Sequence, residues 1–153
     1  MFSHQVSDEQ MELAKNVRND LSTWRKFTIG IDGPDGVGKS VLARFLSWEL
    51  NMPTVEMDLF IISEDEPPSY RYEEINNVIN QRHSLNRPVI VEGIFLLDTF
   101  KKVDVVCDVL IYVENKEFNG SDQLSEKLIM YRNEYKPKNI AKYTFECEFI
   151  NHT

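Results

Sequence analysis

Three observations place this chain in the α/β class. Apolar runs of strand length alternate with helical repeats, a glycine-rich turn joins the first such run to a helix, and the last segment alternates with period two. Strands that alternate with helices build a parallel sheet with helices on both faces. The expected architecture is three-layer α/β/α around a five-stranded, mainly parallel sheet. The length of 153 residues fits one domain, 1–153, with one sizeable core.

The elements follow in order. Ser7 reads as a helix N-cap and Gln10 completes a capping box. Met11, Leu13, Ala14, Val17, Leu21 and Trp24 then recur at helical spacing. Residues 27–32 read as a strand, and a helix runs from 39 to 50 with Val41, Leu42, Phe45, Leu46 and Leu50 on its apolar face. A short second strand spans 54–58. The segment 59–69 is a loop, with the acidic run Glu64-Asp65-Glu66 read as solvated surface and the pair Pro67-Pro68 beside it. Ile75, Val78, Ile79 and Arg82 carry a helix over 72–85, which Asn86-Arg87-Pro88 ends. Val89-Ile90-Val91-Glu92 is a buried strand closed by an acid, and 105–113 contains another strand. A helix is expected over 122–135 with Ser121 as its cap. Tyr143, Phe145, Cys147 and Phe149 alternate with polar residues, the pattern of a half-exposed edge strand.

Composition narrows the function. The net charge of −8 argues against a nucleic-acid polymer as partner, which would need clustered Lys and Arg. It leaves room for a nucleotide site, which works through local donors. No apolar run is long enough to cross a bilayer, so no membrane partner is expected. The first residues lack the basic and apolar regions of a signal peptide. Cys107 and Cys147, the two cysteines, sit in apolar surroundings in expected strands and read as buried thiols. Together these features lead to a cytoplasmic expectation. The sequence does not fix an oligomeric state, and the N-terminal helix could dock on its own domain or on a partner.

The decisive segment is Gly33-Pro34-Asp35-Gly36-Val37-Gly38-Lys39-Ser40, which matches G-x-x-x-x-G-K-[ST] without a gap. Its glycines allow a turn whose backbone N–H groups converge on one anion. The helix that starts at Lys39 adds its positive end. Lys39 can reach the β- and γ-phosphates, and the Ser40 hydroxyl is a ligand for magnesium. Val41 follows directly and completes the candidate nucleotide contacts. The motif lies between an apolar strand and an amphipathic helix, which is the context that gives it meaning. The expected cofactors are ATP and Mg2+.

From residue 27 onward the chain resembles the uridine kinase-like P-loop kinases. The stretch Ile29–Ser40 resembles their opening strand and phosphate loop, and Met57-Asp58-Leu59-Phe60 looks like their acid-x-Phe segment. Pro88–Leu97, with Glu92-Gly93, is similar to their third strand and turn, and Cys107–Val113 to their fourth strand. A weaker likeness runs from Tyr135 to Ala141, so that the resemblance covers about Phe27 to Phe149. It implies transfer of the γ-phosphoryl of ATP to a hydroxyl of a nucleoside or similar small metabolite. By the same resemblance Asp58 is the base for the acceptor hydroxyl, and Glu92 holds magnesium through water. Such kinases carry lid arginines that neutralise the transferring group. Here 114–129 contains only Lys116 and Lys127, and Arg132 is the first arginine, hence the candidate for that role. Tyr70 and Arg71, with Tyr72, are candidates to line the pocket for the small-molecule acceptor. A guanine-specific switch is disfavoured, because Asn115-Lys116-Glu117 is followed by Phe118 where such a motif needs an acid. The remaining reading is a nucleotide-binding protein without turnover, a sensor or a partner-dependent subunit.

Overall fold

The computed structural model describes residues 5–63 and 68–148. The acidic run 64–66, Pro67 and the end of the expected last strand at Phe149 lie outside the described residues.

Helix α1 (Asp8–Leu21) begins as expected. The Ser7 hydroxyl accepts from Gln10 N at 3.1 Å, and the Gln10 side chain accepts from Ser7 N at 2.9 Å. Strand β1 (Phe27–Asp32) and helix α2 (Lys39–Leu50) flank the glycine-rich turn. Strand β2 is Thr54–Glu56, and a 3-10 turn, Met57–Phe60, follows it. Strands β3 (Ile61–Ser63) and β4 (Ser69–Tyr70) pair antiparallel in the region expected to be loop. Then come α3 (Tyr72–Ser84), β5 (Pro88–Glu92), α4 (Leu96–Val103), β6 (Val109–Asn115), a 3-10 turn at Asp122–Leu124, α5 (Ser125–Tyr135), the single turn α6 (Pro137–Ile140) and β7 (Tyr143–Cys147).

The main sheet has five strands in the order β2-β5-β1-β6-β7, and every pairing is parallel. β1 is central. The chain lays β2 and β5 on one side of it and then crosses to lay β6 and β7 on the other. Ligands of open α/β sheets bind beyond the carboxyl ends of the strands near such a reversal. β7 is an edge strand, and its burial alternates as its sequence does.

Period two sorts the strands into two cores. Phe27, Ile29 and Ile31 of β1, Ile90 of β5, and Val109, Ile111 and Val113 of β6 face α1 and α2. Val89, Val91 and Leu110 face α3 and α4. α1 therefore docks on its own domain, through Leu13, Ala14, Val17 and Leu21, while Met11 and Trp24 stay exposed. Gly30 belongs to the α4 face. A Cβ there would stand 3.0 Å from both Leu96 and Phe100, so the glycine lets α4 close on the sheet.

Several boundaries differ from the sequence expectation. α4 has no Ser, Thr, Asp or Asn cap. It starts after Phe95, which has a φ of 53°, and ends at Asp104, which has a φ of 54°. α5 begins at Ser125, and Ser121 makes no side-chain capping bond. Cys107 precedes β6 instead of lying in it and is half-buried, with Sγ 3.3 Å from Val109 O. No helix among the described residues is long and apolar enough to cross a membrane.

Candidate functional site: a phosphate loop at the carboxyl edge of the sheet

The glycine-rich turn leaves β1 with its backbone against β6. A Cβ at Gly33 would stand 2.4 Å from Val113 O, which no side chain can occupy. Gly36 and Gly38 have φ of 75° and 109°, a region that favours glycine. Gly38 is also the N-cap of α2, so the helix's free N–H groups and positive end open into the turn. Lys39 is buried, and its Nζ donates to Pro34 O. Burial lowers its pKa, and Glu92, Asp32, Asp35 and Asp58 all oppose that shift.

A cleft of about 90 Å³ lies over this turn, lined by Asp35, Gly38, Lys39, Ser40, Asp58, Glu92, Gly93 and Ile94. Glu92 ends β5 on the same face as Ile90, which directs it at α2. Ser40 Oγ donates to Glu92 Oε1 at 3.2 Å. Burial pushes the Glu92 carboxyl up to about 7, against the pull of Lys39 and Ser40 and with the help of Asp58 and Glu56. Two hard oxygen donors side by side, one of them a buried carboxylate short of positive charge, fit magnesium. That ion needs only one or two protein ligands beside phosphate and water. Among the described residues no group of three or more His, Cys, Asp or Glu forms a metal cluster.

Asp58 reaches the cleft by a different route from the one expected. β2 stops at Glu56, which pairs with Arg44 at 3.0 Å, and Asp58 sits in the following 3-10 turn with an exposed side chain. Met57, fully buried, anchors that turn against Gly93, where a Cβ would come within 2.7 Å of its sulfur. The other candidates separate. Tyr70 is buried, and its hydroxyl has no hydrogen-bond partner among the described residues. Burial, with Asp58, Tyr72 and Glu92 nearby, raises its pKa. It lines a cavity of about 180 Å³ with Tyr72, Asp98, Lys102 and Tyr131. Arg71 is not part of that cavity. Its guanidinium donates to Leu59 O at 2.9 Å and pairs with Glu74 at 3.2 Å, fastening the 3-10 turn to α3. Arg132 does not line the phosphate cleft either. With Tyr112 it lines a separate cavity of about 490 Å³ instead.

Sequence reasoning missed two supports of the turn. Asp32, fully buried, accepts from Gly33 N at 2.8 Å, from Leu96 N at 3.4 Å and from the Tyr131 hydroxyl at 2.5 Å. Its pKa is raised by burial to about 6 despite these bonds. An acid directly before the first glycine was the available signal. The second support is a strap between β6 and α5. Phe118 lies on Gly36, where an added Cβ would be 2.6 Å from the ring, and Asp35 accepts from Ser121 N with both oxygens at 3.1 Å.

Among solved structures, a protein from Bacillus stearothermophilus described as a possible uridine kinase superposes with a TM-score of 0.69. It is 17% identical, and the match covers 90% of this chain and 97% of that one. The chain has the fold of the P-loop kinases. A candidate fructose transport system kinase from Silicibacter sp. TM1040 matches with a TM-score of 0.52 at 16% identity, over 86% of this chain and 84% of that one. No protein-family model matches the chain, and no curated protein matches it in sequence.

Proposed function

We propose that this protein is an ATP-dependent phosphotransferase that moves the γ-phosphoryl group to a hydroxyl of a nucleoside or similar small metabolite. The observation that carries this reading is the convergence of Lys39, Ser40, Asp58 and Glu92 on one cleft at the end of a glycine turn. Phosphoryl transfer asks a protein mainly for positioning and for neutralisation of charge. Backbone N–H groups of residues 36–40 take up phosphate oxygens, and Lys39 leaves Pro34 O to neutralise them. Ser40 and Glu92 would hold magnesium, which supplies further charge neutralisation on the phosphates when bound. Asp58, exposed at the mouth of the cleft, takes the proton from the acceptor hydroxyl. The Tyr70 hydroxyl, buried without a hydrogen-bond partner among the described residues and near enough to Asp58 to feel its charge, would offer the acceptor a hydrogen bond once the acceptor reaches it.

One observation favours a second reading, nucleotide binding without turnover. Arg132, the candidate lid arginine, lies outside the cleft, and no other arginine lines it among the described residues. A radiolabelled-ATP assay over a panel of hydroxylated acceptors separates the two. General-base assistance is worth about 10²–10⁴-fold, so Asp58→Asn should cut transfer by that factor and leave ATP binding nearly intact. Transfer by Asp58→Asn at the wild-type rate removes Asp58 from the mechanism. Absence of transfer to every acceptor by the wild type selects the second reading.

A further inference from the structure

The far side of α5 gathers positive charge in a protein whose net charge is −8. Arg132 stands in the last turn of α5, and Lys136 follows four residues later as its C-cap. Like charges at that spacing repel one another. Among the described residues neither forms an ion pair with a carboxylate. The negative end of the helix favours each cation without neutralising it. Both line a cavity of about 490 Å³, whose wall includes Asn119, Asn133 and Asn139. Tyr112, only 4% exposed, also lines it. The one acid on the wall, Glu114, is 2.6 Å from Lys138 and so is already neutralised.

We propose that this groove is a second anion site, separate from the phosphate loop, and that it takes a small phosphorylated metabolite. The planar guanidinium of Arg132 matches two phosphate oxygens at once, Lys136 adds a point charge, and amide N–H groups can serve the remaining oxygens. The volume is in the range of small-molecule sites. Its wall reaches the chain segments that carry both supports of the phosphate loop. Asn119 belongs to the strap that carries Phe118 and Ser121, and Arg132 adjoins Tyr131, which donates to Asp32.

The test uses full-length protein carrying Lys39→Ala, so that its result does not depend on what the phosphate loop binds. Pyrophosphate is titrated calorimetrically without magnesium into Lys39→Ala, and into the same protein carrying Arg132→Gln or Lys136→Gln. One equivalent should bind to Lys39→Ala, and each added substitution should weaken it at least about tenfold, as the loss of a charged phosphate contact does. Lys136 is exposed, so its variant keeps the test decisive even where Arg132→Gln perturbs folding. Failure of millimolar pyrophosphate to bind Lys39→Ala overturns the proposal. Binding that Lys136→Gln leaves unchanged overturns it equally, because the anion then sits elsewhere.

Discussion

At the scale of single residues, Asp32 shows how the site is supported from below. It is a buried carboxylate whose pKa of about 6 stands above the ordinary value of 3.8. Between those two values the folded state binds more protons than the unfolded state. Stability from this group is therefore full below about pH 4 and is lost as pH rises through about 6. The shift corresponds to on the order of 2–3 kcal/mol. Asp32→Asn keeps an acceptor for Gly33 N and Leu96 N and removes the buried charge. The variant should match wild type near pH 4 and exceed its stability by on the order of 2–3 kcal/mol at pH 8. Denaturant melts at the two pH values read this directly, and a difference that stays constant with pH would contradict the account. Lys39, Ser40 and Glu92 were legible in the sequence because each belongs to a motif or closes an apolar run. Asp32 carried only the local signal of an acid before the first glycine, and its partner Tyr131 lies 99 positions away in the chain.

At the scale of elements, legibility followed local signals. α1 was readable from its cap. The Ser7–Gln10 capping box should be worth about 1 kcal/mol, so Ser7→Ala should lower stability by about 0.5–2 kcal/mol with no effect on ligand binding. A denaturant titration beside a nucleotide titration checks both halves, and a variant that folds normally but binds nucleotide less well would tie α1 to the site. α4 was not readable, because Phe95 and Asp104 at its two ends adopt positive φ without glycine there to announce it. β2 read too long for a related reason. Thr54-Val55-Glu56-Met57-Asp58 keeps the strand alternation, yet the backbone turns into a 3-10 helix at Met57, which packs on Gly93, a contact between distant segments. The same contact places Asp58 at the cleft. The strap is an element of this kind as well. Gly36→Ala would force the φ of 75° on a side chain and drive its Cβ into Phe118. Its nucleotide affinity should fall at least about tenfold, equivalent to about 1.4 kcal/mol and within the cost of backbone strain. A calorimetric titration at unchanged affinity would show that the strap accommodates the methyl group.

For the whole molecule, alternation of strand and helix announced the layers, and the glycine-rich turn announced which end of the sheet carries the candidate site. The parallel order around β1 then brings α2, β5 and the turn after β2 to one edge, although 52 positions separate Ser40 from Glu92. What this arrangement should do first is bind the phosphates of a nucleoside triphosphate. The measurement that tests this most directly is the thermal melt of wild type and Lys39→Ala with and without magnesium and ATP. At a hundredfold excess over the dissociation constant, ligand linkage gives about 2.7 kcal/mol. For a domain of this size that is about 5–10 °C. The wild type should rise by that amount and Lys39→Ala by much less. A wild type whose melting temperature does not move at saturating ATP and magnesium, or a Lys39→Ala variant that rises as far as wild type, would contradict the account.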